Sequence, residues 1–257
     1  MRLDKLTWKQ AENYFKGDVL AVLPVGSVEQ HGPLGPLGTD YFIPEEIARL
    51  IDERLDVLVL PALPYGVAPH HMSFPGTINV GHDALREVVG NIVSSLMAHG
   101  VRRFLILNGH GGNSPALESV CLELYKKGGL AAIIDWWMLA PQLNPSWLGG
   151  HGDGLEASVM MAIRPEWVDK QNLFPGEVHH LSDSLQNIHL NVVKFGKGTV
   201  KVIRDVRDVV SHGAYGGPDD SALADAGTGQ EVLSAVIDYI VAFLAEFKKV
   251  SLPASRK

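Results

Sequence analysis

Asp18-Val-Leu-Ala-Val-Leu-Pro-Val25 is a short apolar run closed by Gly17 and Gly26. A strand covered on both faces of a parallel sheet has this form. Working outward from it, strands and helices alternate. Thr7 is a good N-cap for an opening helix through Phe15. Pro44–Leu55 carries Ile47, Leu50, Ile51 and Leu55 at helical spacing, with proline at its start. Val57–Leu60 predicts a second buried strand, followed by a Pro/Gly-rich loop over 61–76. Asp83–His99 predicts an amphipathic helix stopped by Gly100, and Arg103–Leu107 a third strand. Ser114–Lys127 predicts a helix stopped by Gly128-Gly129, and Leu130–Asp135 a fourth strand. This alternation indicates βαβ units and a mostly parallel sheet covered by helices. Beyond Asp135 the pattern loosens. Trp136–Gly150 reads as a long loop, Leu155–Ile163 as a helix, Leu190–Val210 as β-rich irregular structure and Gln230–Lys249 as an amphipathic helix. With no repeat or composition break, one domain over 1–257 is expected.

Composition narrows the class. Of 257 residues, 46% are hydrophobic and 20% charged, values of a globular chain with a real core. Lys+Arg 22 against Asp+Glu 29 leaves a net charge of −7, so no basic surface for nucleic acid is indicated. No apolar run nears the roughly 20 residues needed to span a bilayer. A charged N-terminus and a single cysteine, Cys121, lead us to expect a cytoplasmic protein. Cys121 itself reads as a packing residue on its helix.

Histidine and glycine cluster together: His31, His70, His71, His110, His151 and His212 each lie within two residues of Gly or Pro. In open α/β sheets, ligands bind outside the carboxyl ends of the strands. Three clusters fall there: Glu29-Gln-His31 with Asp40 beyond it, Asn108-Gly-His110-Gly-Gly-Asn113, and His151-Gly-Asp-Gly-Leu-Glu156. Glu29 and His31, two apart, project to the same side of an extended chain. Carboxylate and imidazole ligands without thiolate favour Zn, Mn or Fe. Asp40 is placed to bridge two ions about 4 Å apart, which would jointly activate a water and polarise a carbonyl. Two rival readings are weighed. In one, Gly109–Ser114 is a degraded dinucleotide-binding turn and Asp135 a ribose-binding acid, as in a Rossmann-like protein. In the other, the chain is a catalytically dead assembly subunit.

These segments, with Phe74-Pro-Gly-Thr77 and Gly38-Thr-Asp40, resemble the creatininase (creatinine amidohydrolase) family in order from about Leu20 to Pro165. The resemblance continues weakly in Gly213-Ala-Tyr-Gly-Gly-Pro218. It implies a three-layer α/β fold, often a hexamer, with a binuclear metal centre (Zn, Mn or Fe) that hydrolyses non-peptide C–N bonds of a small amide. It also implies that Glu29 and His110 hold one metal, His31 the other, and Asp40 bridges them. His151 resembles the catalytic histidine and Ser73 a substrate contact. The creatinine-hydrolysing members carry Tyr and Glu directly after the histidine matching His110, and that Glu completes the second metal site. Here Gly111 and Gly112 stand instead. Glu156 is the expected replacement, as ligand or as acid/base. The bare turn at Gly111 offers N–H groups at a helix start, which favours anions. A larger or more anionic substrate than creatinine is therefore expected. His71 is expected to line the pocket. Trp136, Trp137 and Trp147 form either a lid over the substrate, with Trp147 touching it, or an anchor to the core or a subunit interface.

Overall fold

The computed structural model describes residues 1–216 and 224–255. Helix α1 (Trp8–Tyr14) opens with a capping box: the Thr7 hydroxyl accepts from the Gln10 backbone, and the Gln10 side chain accepts from the Thr7 backbone. Four strands follow with helices between them: β1 (Leu20–Val25), α2 (Thr39–Asp52), β2 (Leu58–Val59), α3 (His82–Ala98), β3 (Arg103–Asn108), α4 (Ser114–Lys126) and β4 (Leu130–Asp135). All pairings are parallel, in the order β2-β1-β3-β4. From β1 the chain winds outward to β2, then returns past β1 to β3 and β4. The switch point therefore lies between β1 and β3, where a crevice opens at the strand ends. Val25 pairs with Asn108, so the two loops that leave these strands start side by side.

The two faces of the sheet follow from the two-residue period of a strand. Leu20 and Val22 turn to one layer, where they meet α2 and three later helices: α5 (Trp136–Leu143), α6 (Gly154–Ile163) and α7 (Ala226–Phe247). Ala21, Leu23 and Val25 turn to the other layer, against α3 and α4. The result is the three-layer α/β/α arrangement. A separate antiparallel sheet, β5 (Gln186–His189), β6 (Val192–Phe195) and β7 (Gly198–Lys201), stands beyond it. Among the described residues, no helix is long and apolar enough to cross a membrane.

Several boundaries differ from the sequence reading, among them the start of α7 at Ala226, ahead of Gln230. Helix α2 begins at Thr39, five residues before Pro44, so proline sits inside the helix and Asp40 on its first turn. Proline there forfeits its bond to the carbonyl four residues back; the Asp40 carbonyl instead lies against Gly109. The supposed long loop after Asp135 contains α5, which buries Trp136, Leu139 and Ala140 at helical spacing, and a short 3-10 turn Pro145–Trp147. Pro141 and Pro145 had masked that period. The three-stranded sheet begins at Gln186 and ends at Lys201, ahead of the expected 190–210. Gly217 and Pro218 of the last family-like segment lie outside the described residues.

Helices α6 and α7 touch backbone to backbone: a Cβ on Gly229 would overlap the Ser158 carbonyl. Alanine is the better helix former by about 1 kcal/mol, but overpacking costs about 1–3 kcal/mol. Packing therefore outweighs propensity at this crossing. With the Cβ overlapping main chain, Gly229→Ala is expected to lower stability by up to about 2 kcal/mol net, read from the urea midpoint, whereas a surface glycine in a helix would show the opposite sign.

Candidate metal centre

Two asparagines shape the turn after β3. Asn108 Nδ2 donates to the His110 carbonyl (2.9 Å) and to Asp135 Oδ1 (2.7 Å), and its Oδ1 accepts from the His110 N–H (3.2 Å). Asn113 Oδ1 accepts from the Val67 N–H (3.0 Å) and its Nδ2 donates to the Gly26 carbonyl (3.0 Å). The loops after β1, β2 and β3 are thus tied together at one point. Asp135 is spent inside this network. A Cβ on Gly109 would overlap the Asp40 carbonyl, so that turn is filled by α2. Neither feature suits a pyrophosphate turn with a ribose-binding acid, and the dinucleotide reading has no support here.

Glu29, His31, Asp40, His71, His110, His151 and Glu156 are all buried together above the switch point. His110 Nδ1 lies 3.1 Å from both Glu29 Oε2 and Asp40 Oδ2. His31 Nε2 lies 2.9 Å from Asp40 Oδ1 and 3.5 Å from Glu156 Oε2. The two oxygens of Asp40 therefore serve two groups, Glu29–Asp40–His110 and His31–Asp40–Glu156, and each group could hold an ion. Ligands about 2.0–2.2 Å from one metal stand roughly 3–3.5 Å from each other, and these spacings match. Glu29, His31 and His151 form a third, looser group, with His151 Nδ1 3.8 Å from Glu29 Oε1.

Each ligand-like imidazole is fixed by its other nitrogen. His110 Nε2–H donates to the Val67 carbonyl (2.8 Å) and His31 Nδ1–H to the Glu29 carbonyl (3.0 Å). Both lone pairs are left facing the carboxylates, the orientation that metal-ligating histidines take. With His110 Nδ1 bare, Glu29 Oε1, Glu29 Oε2 and Asp40 Oδ2 are buried without a hydrogen-bond partner among the described residues. Buried carboxylate oxygens in that state are costly unless a cation meets them, so the residues present fit a metal.

Charge is balanced by protons when no cation is present. Burial opposes a charge on His31, yet the Asp40 and Glu156 carboxylates outweigh it and push the imidazole up to about 10. Burial likewise opposes a charge on His110, and Glu29 and Asp40 still hold it well above its ordinary value. Burial pushes Glu156 up to about 8, with His31 pulling it down and Asp40 adding to the rise. Burial acts against ionised Asp40 too, but His31 and His110 keep it well below the usual carboxylate range. His151 and His71 are held low, chiefly by burial, with the neighbouring histidines adding to it.

Glu156 owes its position to its neighbours. Asp153 caps α6 by accepting from the Leu155 and Glu156 N–H groups, and Glu156 Oε2 accepts from the Gly152 N–H (2.7 Å). The His151 loop is paired to Tyr215 by two backbone bonds (2.8 and 2.7 Å). The two family-replacing glycines differ in kind. A Cβ on Gly112 would overlap the Val67 carbonyl and strike His110 Nε2, so no glutamate side chain can start there. A Cβ on Gly111 would meet only Trp137, at 3.7 Å, leaving open space beside that indole.

The remaining sequence candidates are less central. Ser73 is exposed, and its hydroxyl donates to Asp205 Oδ1 (2.5 Å). Trp136 is buried and Trp147 half-buried, both against the apolar core; Trp137 is the indole that borders Gly111. Sequence reasoning passed over Gln30, which contacts His71 and His151, and Arg207, whose guanidinium lies 4.2 Å from the Phe74 ring. Gln30 could have been found from its place between two ligand-like residues, whereas Arg207 had no local signal.

Paired buried carboxylates and imidazoles at the carboxyl edge of a parallel α/β sheet define a metal-dependent hydrolase site. The chain belongs to the creatininase family: the family model described as creatinine amidohydrolase matches residues 4–244. It is accordingly an amidohydrolase, acting on C–N bonds other than peptide bonds. The chain is 32% identical to the creatinine amidohydrolase of Pseudomonas putida over 188 residues, 64% of this chain and 72% of that protein. It is 29% identical to the mycofactocin precursor peptide peptidase of Mycobacterium ulcerans (strain Agy99), over 88% of this chain and 84% of that protein. A solved creatininase structure in a Mn form superposes with a TM-score of 0.76 at 26% identity, covering 95% of this chain and 97% of the other. One of these two relatives is named for creatinine and the other for a precursor peptide, so membership of the family leaves the substrate open.

Metal uptake must displace the protons that balance the site. His31 and His110 are held protonated at neutral pH, and ligation needs them bare, so affinity should rise with pH up to about 10. Titration calorimetry of zinc into metal-free protein at pH 7, in buffers of different ionisation enthalpy, should report release of roughly one to three protons. Equal heats in all buffers would contradict this.

Proposed function

We propose that this single-domain chain binds two divalent ions and hydrolyses a small amide that is larger or more anionic than creatinine. The observation that carries the reading is Asp40, whose two buried oxygens face two separate imidazoles, His31 and His110. Glu29, Asp40 and His110 would hold one ion and His31, Asp40 and Glu156 the second, with Zn, Mn or Fe the metals suited to such donors. Glu156 is read as a ligand because its Oε2 stands 3.5 Å from His31 Nε2. It takes the part that Gly112 cannot.

Such ions, when bound, polarise an amide carbonyl and make a water nucleophilic near neutral pH. The protein's own groups do the rest. His151, held neutral and with Nδ1 turned towards Glu29, accepts the proton the attacking water gives up and passes it to the departing nitrogen. His71 lines the same wall, 3.5 Å from Glu29 Oε1. The space at Gly111 beside Trp137 admits a bulkier group than a Tyr side chain there would allow. Ser73 contacts the substrate at the mouth, and Trp147 supports the aromatic wall from the core side. Arg207, stacked on Phe74 one residue beyond Ser73, supplies a cation for an anionic substituent.

A closed homo-oligomer, with a hexamer favoured, and a cytoplasmic location without nucleic-acid or membrane partners complete the reading. The exposed Phe195 and Val200 of the outlying sheet, with Ile203 just beyond it, support self-association. Sedimentation at micromolar concentration should show an oligomer, and monomer alone would refute it.

The central test combines elemental analysis with kinetics. Protein purified without chelator should hold Zn, Mn or Fe, and Asp40→Ala should lose it together with more than about 100-fold of activity, since even outer-shell changes cost 10- to 100-fold. On a panel of cyclic amides, formamides and their carboxylated or phosphorylated forms, creatinine should be a poor substrate. Arg207→Ala should raise KM about tenfold for anionic amides only, the value of one charge-assisted bond. Metal-free protein that regains none on soaking would sink the proposal, and so would NAD(P) binding that Asp135→Ala weakens.

A further inference from the structure

Gln30 lies between two ligand-bearing residues, is almost fully buried, and its amide is oriented by the backbone. Its Oε1 accepts from the Gly32 N–H (2.9 Å) and its Nε2 donates to the Gly213 carbonyl (3.1 Å). A flipped amide would set oxygen against oxygen at Gly213 and N–H against N–H at Gly32. One Nε2 hydrogen therefore remains, and two imidazole nitrogens stand 2.9 Å from it: His71 Nδ1 and His151 Nε2. His151 Nε2 is also 2.8 Å from the Gln30 carbonyl, which can only accept. That nitrogen must carry hydrogen and donate. The free amide hydrogen then goes to His71 Nδ1, which must be bare.

We infer that Gln30 is a positioning residue that fixes the tautomers of both remaining site histidines, His71 through its amide and His151 through its main-chain carbonyl. His71 is held with hydrogen on Nε2, facing Glu29 Oε1 at 3.5 Å. His151 is held with Nδ1 bare, facing the same oxygen at 3.8 Å. One wall of the site thus presents one donor and one acceptor, in an order that a single residue sets. Only a primary amide accepts from Gly32 while donating to both Gly213 and His71. A glutamate of the same shape can accept but, when ionised, cannot donate. Close packing keeps the amide in place, since a Cβ on Gly213, whose φ is +93°, would overlap Gln30 Oε1. The consequence for turnover rests on the proposed reaction, whereas the tautomer assignment does not.

Imidazole nitrogen shifts read the tautomer directly. The full-length protein labelled with 15N-histidine is recorded with and without zinc, and peaks are assigned with His71→Asn and His151→Asn. Wild type should show both rings with hydrogen on Nε2. In Gln30→Glu, His71 should move to the Nδ1–H form while His151 keeps its own. Bound zinc should be unchanged and kcat should fall about 10- to 100-fold, as for other outer-shell partners. Gln30→Met, which keeps the main-chain carbonyl and removes the amide, should leave the His151 tautomer intact and release His71 Nδ1 from its hydrogen bond. If wild type shows His71 with hydrogen on Nδ1, or His151 with Nε2 bare, the inference fails, whether or not either variant folds. An unchanged His71 tautomer in folded Gln30→Glu also overturns it. Correct tautomers in a protein without amidase activity would instead overturn the proposed function.

Discussion

The placing of one buried carboxylate, Asp40, constrains the rest of the molecule. It stands on the first turn of α2, with one oxygen towards His31 and the other towards His110. An ion taken from water into a protein interior loses several kcal/mol of hydration even after relaxation. The fold must therefore deliver compensating charge to both oxygens at once. It does so by crowding the start of α2 against the ends of β1 and β3. That approach needs glycine on both sides: a Cβ on Gly26 or on Gly109 would overlap the Asp40 carbonyl. These glycines serve contact with a neighbouring backbone rather than an unusual dihedral angle.

The same economy governs the second half of the site. His151 and Glu156 come from the far side of the crevice, on a loop and the first turn of α6. They are brought in by Gly152, whose φ is +59° and whose missing side chain lets it lie on the backbone of His31. Asp153 holds the helix start, and the Gly152 N–H holds the Glu156 carboxyl. Gly112 has no room for a side chain, and Glu156 reaches His31 from another element. The two facts are complementary. A carboxyl group for which the Gly112 turn has no room is thus presented to His31 from a different element.

Neutral and charged imidazoles are sorted by neighbours rather than by depth. His31, His71, His110 and His151 are all buried, yet two are held high and two low. Those held high have carboxylate oxygens within about 3 Å, where attraction at the low dielectric of an interior outweighs lost hydration. Those held low face Gln30 and each other. A site with both kinds can offer anionic donors for a cation and a neutral base for a proton in one cavity.

Much of this was legible locally. The buried runs over 18–25, 103–107 and 130–135, with helical periods between them, specified a parallel sheet covered by helices because a strand's period and flanking glycines are properties of neighbouring residues. The sheet's carboxyl edge then indicated which histidines and acids would gather, and Glu29, His31, Asp40, His110, His151 and Glu156 are buried there, joined by His71. Pro44 hid the true start of α2, and Pro141 and Pro145 hid α5, since a local rule for proline cannot see burial that offsets a lost hydrogen bond. The role of Gly112 as an excluded volume, the open space at Gly111, the tie between Asp135 and Asn108, and the hub at Gln30 were beyond any local pattern. Each depends on atoms tens of residues apart: Val67 on Gly112, Trp137 on Gly111, and His71, His151 and Gly213 on Gln30. Sequence by itself determined which chemical groups would be at the sheet edge. Only the tertiary structure decided which nitrogen and which oxygen face one another, because that depends on distances no chain segment sets alone.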